Sequence, residues 1–269
     1  MISLAVLILT KNEEENIVSV IRNARQCGGD VMIIDSGSTD RTVELAEQEG
    51  ATVAFRAWDN DYAAQRNFAK EQTQADWVLY LDADERLTPE LVEEIRQIIA
   101  ADTKKQYSIQ RKSAAFGVKF NYGVLHPDWV PRLFPRECVT WTGMVHERPE
   151  CKLPVEKLKG HIEHYTYKNW RQWEVKMSLY STIWSHDAYK RGKRTSLAGA
   201  LAHATGGFFK MCFLKRGILD GWMGFYLSCF YFFYTSLKYL KLYELQKQNK
   251  KQGDTYEYFT CKFNENGRG

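Results

Sequence analysis

The first hundred residues alternate between short apolar runs and amphipathic segments, and this alternation restricts the chain to few architectures. The runs "LAVLILT" and "DVMIID" are apolar at almost every position, as in strands that are covered on both faces. Two further strands are predicted at "TVAFRA" and "WVLYLDADE", and a segment with helical periodicity follows each strand. This pattern predicts an α/β fold with a parallel, doubly wound sheet and right-handed connections.

Residues of the types that cap helices mark the starts of three predicted helices. Asn12 is expected to cap the first helix and Asp40 the second. Thr88 is expected to cap the helix after the fourth strand, with Pro89 in its first turn. The apolar stripe of the first predicted helix consists of Ile17, Val20, Ile21 and Ala24.

Three predicted strands end in polar clusters, at residues 10–12, 35–38 and 82–84. In a doubly wound sheet the carboxyl ends of the strands form the edge at which ligands bind. Asp82 and Asp84 flank one small residue, so both carboxylates project to one side if the segment stays extended. With diphosphate oxygens and water, such a pair can bind Mg²⁺ or Mn²⁺. A helix cap, a solvated turn or a structural ion site are the alternatives; the position favours a bound metal–diphosphate.

The N-terminal stretches resemble the catalytic domain of family 2 glycosyltransferases. These stretches are "VLILTKNEEENI", "MIIDSGSTDRTVELA", "AAQRNFA" and "WVLYLDADERLTPEL". The later stretches "VPRLFPR", "MVHERPE" and "RGILDGWMGF" are similar to bacterial lipopolysaccharide inner-core β-1,4-glucosyltransferases, and the resemblance covers roughly residues 1–245. It implies a GT-A fold, which is a Rossmann-like fold for nucleotide-diphospho-sugar transferases with a mostly parallel sheet. It also implies an inverting enzyme that moves glucose from UDP-glucose to a lipopolysaccharide-core or other lipid-linked acceptor.

The pattern of predicted elements along the chain indicates three parts. Residues 1–165 are expected to form the catalytic domain, with a nucleotide-sugar half at 1–100 and an acceptor half at 101–165. Residues 166–246 are expected to form a helical region that associates with a membrane or with another copy of the chain. Residues 247–269 are polar and are expected to form a tail.

The resemblance also implies the roles of individual residues. Nucleotide-sugar binding is expected at Thr10, Asn12, Glu13, Asp35, Ser36, Arg66, Asn67, Asp82 and Ala83. Metal binding is expected at Asp82, Asp84 and His164. Ser36 stands where many relatives carry a second acid, and Arg66 and Asn67 also fit an ordinary helix face. Trp129 and Trp141 fit either stacking on a sugar or core packing.

A direct displacement at the anomeric carbon needs a base for the acceptor hydroxyl. Glu147 in "GMVHERPE" matches the base of the family, and His146 is its nearest rival. Asp128 and Glu137 are further alternatives. Glu147 also has a purely structural interpretation, in which it pairs with Arg148 or Arg132.

The two halves of the chain differ in charge. Residues 1–150 carry 17 Lys and Arg against 24 Asp and Glu, whereas residues 151–269 carry 20 against 9. Seven Lys or Arg and no acid lie between Tyr189 and Gly217, and residues 221–237 form an uncharged, aromatic run of 17. This pattern predicts a peripheral protein on the inner face of the cytoplasmic membrane. A buried helical hairpin, a homo-oligomer interface and a short membrane span are the alternatives.

Several other functional classes fit the sequence less well. The six cysteines are scattered without a C-x-x-C pair, which is typical of reduced thiols in the cytoplasm. The N-terminal run is short and lacks a basic flank, so it is interpreted as a strand and not as a signal peptide. The acidic "TKNEEEN" lacks the glycines of a nucleotidyltransferase phosphate loop. A glycosidase, a nucleic-acid-binding protein and a non-catalytic scaffold are also disfavoured.

Overall fold

The structure, a computed structural model, describes residues 2–59, 61–143 and 147–251. Its first half contains the strands β1 (Leu4–Thr10), β2 (Asp30–Asp35), β3 (Thr52–Phe55), β4 (Trp77–Asp82) and β5 (Glu85–Leu87). The helices of this half are α1 (Ile17–Arg25), α2 (Thr42–Gln48), α3 (Tyr62–Glu71) and α4 (Pro89–Ala101).

The second half continues the sheet and then becomes helical. Its strands are β6 (Gln106–Ala115), β7 (Val118–Lys119), β8 (Asp128–Pro135), β9 (Thr140–Thr142), β10 (Arg148–Glu150) and β11 (Val155–Tyr167). Its long helices are α5 (Trp170–Lys190), α6 (Leu197–Phe209) and α7 (Gly221–Lys251). A π-helical turn (Lys210–Leu214) and a 3₁₀ turn (Gly217–Asp220) connect α6 to α7.

The main sheet is parallel in its first half and mixed in its second. Strands β3, β2, β1 and β4 lie side by side in parallel, as the sequence predicts. Strand β8 is antiparallel to β4, and the order continues through β6 and β11 to β5. The α/β prediction is therefore confirmed, and the fully parallel arrangement holds only for the first four strands.

Helices cover both faces of the sheet, which explains why the strands are apolar throughout. Alternate residues of β1 (Leu4, Val6 and Ile8) pack in a core with α1, α2 and α4. The intervening residues Ala5 and Leu7 pack on the opposite face, in a core with α3. Because successive side chains of a strand point to opposite faces, each β1 residue serves one of the two cores.

The predicted fourth strand is in fact two strands. It ends at Asp82, the chain turns at residues 83–84, and β5 begins at Glu85. Strand β5 pairs with β11 at the far end of the sheet order, so the sheet curls back towards β4. The assumption of an extended segment from Asp82 to Asp84 is therefore wrong, and the two carboxylates contact different partners.

The first predicted helix cap is also wrong. Helix α1 begins at Ile17, whereas Asn12 lies in the left-handed region with φ of 55° and accepts a bond from the Thr39 N–H at 2.8 Å. The Thr88 cap is confirmed, because its hydroxyl accepts a bond from the Leu91 N–H at 3.4 Å. An asparagine tolerates a left-handed backbone, so Asn12 serves as a turn residue.

The three long helices pack together, with α7 against both α5 and α6. Residues 221–237, the uncharged run, form the first half of α7, which continues through Lys251 into the expected tail. Residues 252–269 lie outside the described part of the chain. By length and composition alone, the helical stretch Leu197–Leu214 is apolar enough to cross a membrane, and 17% of it is buried.

Candidate active site

The sheet brings the predicted polar clusters together at one edge. Thr10 is the register partner of Asp35, and Leu9 is the partner of Asp82, so the ends of β2, β1 and β4 lie next to one another. Alternation along β4 places Asp82 on the same face as Val78 and Tyr80, which is the face covered by α3. A side chain of α3 can therefore contact Asp82 on this face of the sheet.

Two buried arginines hold the carboxylate of Asp82. Arg66 of α3 places Nη2 3.0 Å from Oδ1, and Arg132 of β8 places Nη2 2.7 Å from Oδ2. Burial favours the neutral acid, but the two guanidinium groups outweigh it and hold the pKa of Asp82 well below its ordinary value. Asp82 is therefore a carboxylate with both oxygens in charged hydrogen bonds.

Arg132 also bonds Glu85, which is fully buried. The distance from Arg132 Nη2 to Glu85 Oε1 is 2.8 Å, and the Asp82 N–H donates to the other oxygen of Glu85 at 3.0 Å. Burial raises the pKa of Glu85, against the attraction of Arg132. Arg111 lies 3.5 Å from the same carboxylate. No local signal in the sequence predicted a role for Glu85 or Arg111. Arg132 lies in "VPRLFPR", one of the stretches on which the family resemblance rests.

Arg66 links the acids of the sheet to Glu147, which directly precedes β10. Its Nη2 lies 3.5 Å from Glu147 Oε1, and its guanidinium carbon lies 4.8 Å from the centre of the Trp141 ring. The Nε and Nη1 atoms of Arg66 are buried without a hydrogen-bond partner among the described residues. Buried donors of this kind are usually bonded, so they are available to a ligand or water.

Asp84 lies beside His164 because β5 pairs with β11. His164 Nε2 is 3.3 Å from Asp84 Oδ2, and the Tyr165 N–H donates to the Asp84 carbonyl at 2.9 Å. No group of three or more His, Cys, Asp or Glu in the described part of the chain is arranged to hold a metal. A carboxylate and an imidazole nevertheless fit Mn²⁺ or Mg²⁺ if diphosphate oxygens and water supply the remaining ligands.

A cavity of about 570 Å³ opens beside Asp84 and has walls of opposite charge. Glu13 and neighbouring acids form one wall, and burial together with the Asp84 carboxylate raises the pKa of Glu13 against the bond from Asn16. The basic residues of the other wall, all at or near the start of α5, are Lys168, Arg171 and Lys176. The helical region thus contributes cations to a cavity that begins at the sheet edge.

Three further residues expected at the nucleotide site make contacts within the protein. Asp35 accepts bonds from the N–H groups of Gly37 and Ser38 at 2.9 and 3.0 Å, and Ser36 Oγ accepts from Gln65 at 3.2 Å. The Thr10 hydroxyl is buried without a partner among the described residues. The carbonyl of Ala83 accepts from Arg86 at 2.8 Å.

Asn67 and Trp141 hold each other in place. The Asn67 amide donates to the Trp141 carbonyl at 2.8 Å and accepts from the Trp141 N–H at 2.9 Å. Trp141 is buried in the core beneath α3, so of the two alternatives given for it from the sequence, core packing is the one observed. In the structure the Asn67 side chain therefore holds β9 in place.

The rivals of Glu147 lie in different surroundings. Asp128 pairs with Arg111 at 2.8 Å, and the exposed Glu137 pairs with Arg136. His146 lies outside the described residues. Glu147 thus contacts Arg66. The purely structural interpretation from the sequence paired Glu147 with Arg148 or Arg132, and neither is its partner among the described residues.

Comparisons with known proteins show what this chain is similar to. The model of the family described as "Glycosyl transferase family 2" matches residues 5–153. A Rickettsia bellii glycosyltransferase is 30% identical over 266 residues, covering 91% of this chain and 87% of the relative. The lipopolysaccharide core biosynthesis glycosyltransferase LpsC of Rhizobium meliloti is 36% identical over 103 residues, which are 36% of this chain and 37% of LpsC. The solved structure of S. aureus TarS 1–349 aligns with a TM-score of 0.47 and 14% identity over 98% of each chain.

The family match covers more than half of the chain, and it includes β1, β2, β4 and the arginines that hold Asp82. The chain therefore belongs to glycosyl transferase family 2 and is a glycosyltransferase with an α/β catalytic fold of the GT-A type.

Proposed function

We propose that this glycosyltransferase is an inverting hexosyltransferase that depends on a divalent cation. In this proposal it moves glucose from UDP-glucose to a lipopolysaccharide-core or other lipid-linked acceptor and forms a β-linkage. The observation that carries the proposal is the meeting of Asp82, Arg66 and Glu147 at the edge that also presents Asp84 and His164. One site thus contains carboxylates, the guanidinium group of Arg66 and a candidate base.

The donor is expected to bind across the ends of β1, β2 and β4. The buried Thr10 hydroxyl and two buried nitrogens of Arg66 have no partner among the described residues and can bond to donor oxygens. The neighbouring cavity of about 570 Å³ has the size of a small-molecule site. On the basic wall of this cavity, Arg171 and Lys176 can pair with an anionic ligand such as a nucleoside diphosphate, whereas Lys168 already bonds Glu15.

Asp84 and His164 would hold the cation, Mg²⁺ or Mn²⁺, because both oxygens of Asp82 already bond to guanidinium groups. When bound, the cation supplies positive charge that neutralises the diphosphate leaving group. Asp82 is then expected to orient Arg66 and Arg132 beside the donor. The chain thus offers one carboxylate–imidazole pair to the metal and one buried ion cluster to the sugar nucleotide.

Glu147 is the proposed base. The acceptor oxygen forms a bond to the anomeric carbon while the bond from that carbon to the diphosphate breaks, and the hydroxyl proton passes to Glu147. Displacement from the opposite side converts an α-linked donor into a β-linked product. Glu147 suits this step because its side chain is 22% exposed and lies 3.5 Å from Arg66, which keeps a carboxylate in place. A positioned base contributes about 10²–10⁴-fold to the rate.

The acceptor is expected to be carried by a lipid at the inner face of the cytoplasmic membrane. Two observations support this part of the proposal. The first is the local similarity to LpsC, which is described as an enzyme of lipopolysaccharide core biosynthesis. The second is the basic and aromatic helical region, which follows the catalytic sheet directly.

Thermal unfolding with and without nucleotide tests the proposal. UDP, GDP, CMP and ADP would each be added with Mn²⁺ and again with EDTA, to the wild type and to Asp84→Ala. A saturating ligand at about a hundred times its Kd adds about 2.7 kcal/mol to the stability. We expect a shift with UDP and Mn²⁺ that EDTA and Asp84→Ala abolish. A shift with another nucleotide would indicate a different donor. The absence of a metal-dependent shift with all four nucleotides would refute the proposed site.

A further inference from the structure

The turn between α6 and α7 places large apolar side chains in solvent. We call residues 209–222 the α6–α7 tip. Six of its large apolar residues are exposed: Phe209 at 54%, Phe213 at 51%, Leu214 at 79%, Ile218 at 45%, Leu219 at 63% and Trp222 at 78%. Exposed apolar groups concentrated in one short segment usually mark an interaction surface.

Aromatic contacts join the two sides of this tip into one surface. The Phe208 ring lies 6.2 Å from Phe213 on the α6 side and 6.2 Å from Phe225 on the α7 side. Phe225 in turn lies 6.3 Å from Trp222. Two of the exposed residues, Phe213 on the α6 side and Trp222 on the α7 side, therefore contact the same cluster of rings.

The tip is also cationic. Lys210, Lys215 and Arg216 are exposed, and none of them forms an ion pair with a described residue. Asp220 is the acid of this segment, and its carboxylate accepts bonds from the N–H groups of Asn121 and Tyr122, the latter at 2.8 Å. The Asp220 carboxylate is thus hydrogen-bonded to the catalytic domain. The three cationic side chains are available to a binding partner.

The backbone of the tip packs closely against the catalytic domain. The Gly123 N–H donates to the Lys215 carbonyl at 2.8 Å, and a Cβ on Gly123 would lie 2.8 Å from the Cα of Gly217. A Cβ on Gly224 would lie 1.9 Å from the Gly217 carbonyl oxygen. These approaches allow only glycine, so the apolar side chains project from a packed turn.

We propose that the α6–α7 tip docks on an anionic membrane surface, with Leu214 and Trp222 entering the interfacial layer and the three cations contacting lipid phosphates. Tryptophan favours the membrane–water interface, and clustered cations are attracted to anionic leaflets. The α6 helix packs on α7, with Gly207 next to the Tyr231 ring, although only 17% of the apolar stretch Leu197–Leu214 is buried. The tip is distinguished by combining exposed apolar groups with three cations that form no ion pair with a described residue.

Docking at this tip would also orient the active site, a consequence that rests on the proposed function. The tip is bonded to residues 121–123, and this segment leads into β8, which carries Arg132. A lipid-linked acceptor would then meet the enzyme at a fixed distance from the bilayer. The docking itself requires no assumption about the reaction.

Vesicle sedimentation with the full chain tests the inference. Vesicles of phosphatidylcholine alone are compared with vesicles that also contain phosphatidylglycerol. We expect binding to the anionic vesicles that Leu214→Ser/Trp222→Ser lowers at least tenfold, because two apolar side chains leave the interface. Lys210→Ala/Lys215→Ala/Arg216→Ala should lower it by about fivefold for each charge, most clearly at low salt. Val155→Ser, which changes a 61%-exposed residue of the catalytic domain, is the matched control and should bind like the wild type.

Four outcomes would overturn the inference. One is equal binding by the wild type and the Leu214→Ser/Trp222→Ser variant, and another is no preference for anionic vesicles. The third is a concentration-dependent dimer in light scattering that the same variant abolishes, since a second copy would then cover the tip. The fourth is resistance of the bound protein to carbonate extraction, because that result would indicate a membrane span and not docking at the surface. The UDP-dependent thermal shift of the variants, measured in parallel, separates failure of docking from failure of the proposed function.

Discussion

Nη2 of Arg66 lies 3.5 Å from Oε1 of Glu147, and this contact joins helix α3 to the residue that precedes β10. The same nitrogen lies 3.0 Å from Oδ1 of Asp82, so one guanidinium group connects the sheet edge to the proposed base. The Arg66 side chain is 5% exposed and lies over Trp141. Its position is therefore determined by packing, and both carboxylates are oriented by it.

Replacing Arg66 should reduce both stability and activity. Arg66→Met leaves Asp82 with one guanidinium partner, and loss of one member of a buried ion cluster costs about 3–5 kcal/mol. Urea unfolding measures this loss. Arg22→Met is the control, because the exposed Arg22–Glu49 pair should contribute only about 0–1 kcal/mol. Equal destabilisation by the two variants would contradict the role of Arg66 in the cluster.

Glu147→Gln should lower kcat by about 10²–10⁴-fold, because glutamine cannot accept the acceptor proton. Calorimetric binding of the metal–nucleotide complex should change little, since the base acts on the acceptor. Glu150→Gln alters an exposed strand residue that bonds Thr142 and should leave kcat close to the wild-type value. A near-normal kcat for Glu147→Gln would show that another residue acts as the base, and His146 would be replaced next.

His164→Ala should raise the Mn²⁺ concentration that gives half-maximal activity by tenfold or more, because it removes a nitrogen beside Asp84. His161→Ala is the matched control on the same strand. The two histidines are three positions apart along the strand, so His161 projects to the opposite face of β11. A titration of activity against Mn²⁺ distinguishes them, and identical curves for both variants would exclude His164 as a ligand.

Asn67→Ala should destabilise the protein without weakening nucleotide binding. The Asn67 amide makes two bonds to the backbone of Trp141, and the loss of such bonds costs about 1–3 kcal/mol. Chemical denaturation gives the stability, and calorimetry gives the Kd of UDP with Mn²⁺. A large increase in Kd with unchanged stability would instead assign Asn67 to the ligand, as the family resemblance implies.

Asp82 should make the stability of the metal-free protein depend on pH in acid. Its pKa is lowered in the folded state, whereas the unfolded chain has an ordinary value near 3.9. The unfolded state therefore binds more protons below about pH 5, and the contribution of Asp82 is lost as the pH falls from there. Glu85, whose pKa burial raises, acts in the opposite sense as the pH rises. Urea unfolding between about pH 3 and 6 should show a shallower acid slope for Asp82→Asn than for the wild type; equal slopes would contradict this assignment.

The sequence predicted much of the first hundred residues because their signals are local. Apolar runs marked β1, β2 and β4, and the periodic stripe from Ile17 to Ala24 marked the buried face of α1. Thr88 and Pro89 marked the start of α4. The boundary of α1 was missed, because Asn12 bonds Thr39 across the sheet edge, and no local pattern reveals that partner.

The sequence by itself determined the α/β class, the polar edge of the sheet and the family to which the chain belongs. Only the tertiary structure decided the partners of the acids. The turn at residues 83–84 sends β5 to β11, which separates Asp84 from Asp82 and places it beside His164. Arg66 and Arg132 reach Asp82 from a helix and a strand that are 16 and 50 residues away. Such pairings depend on the order and register of the strands in the sheet. The local hydrophobic pattern of the sequence does not determine that order.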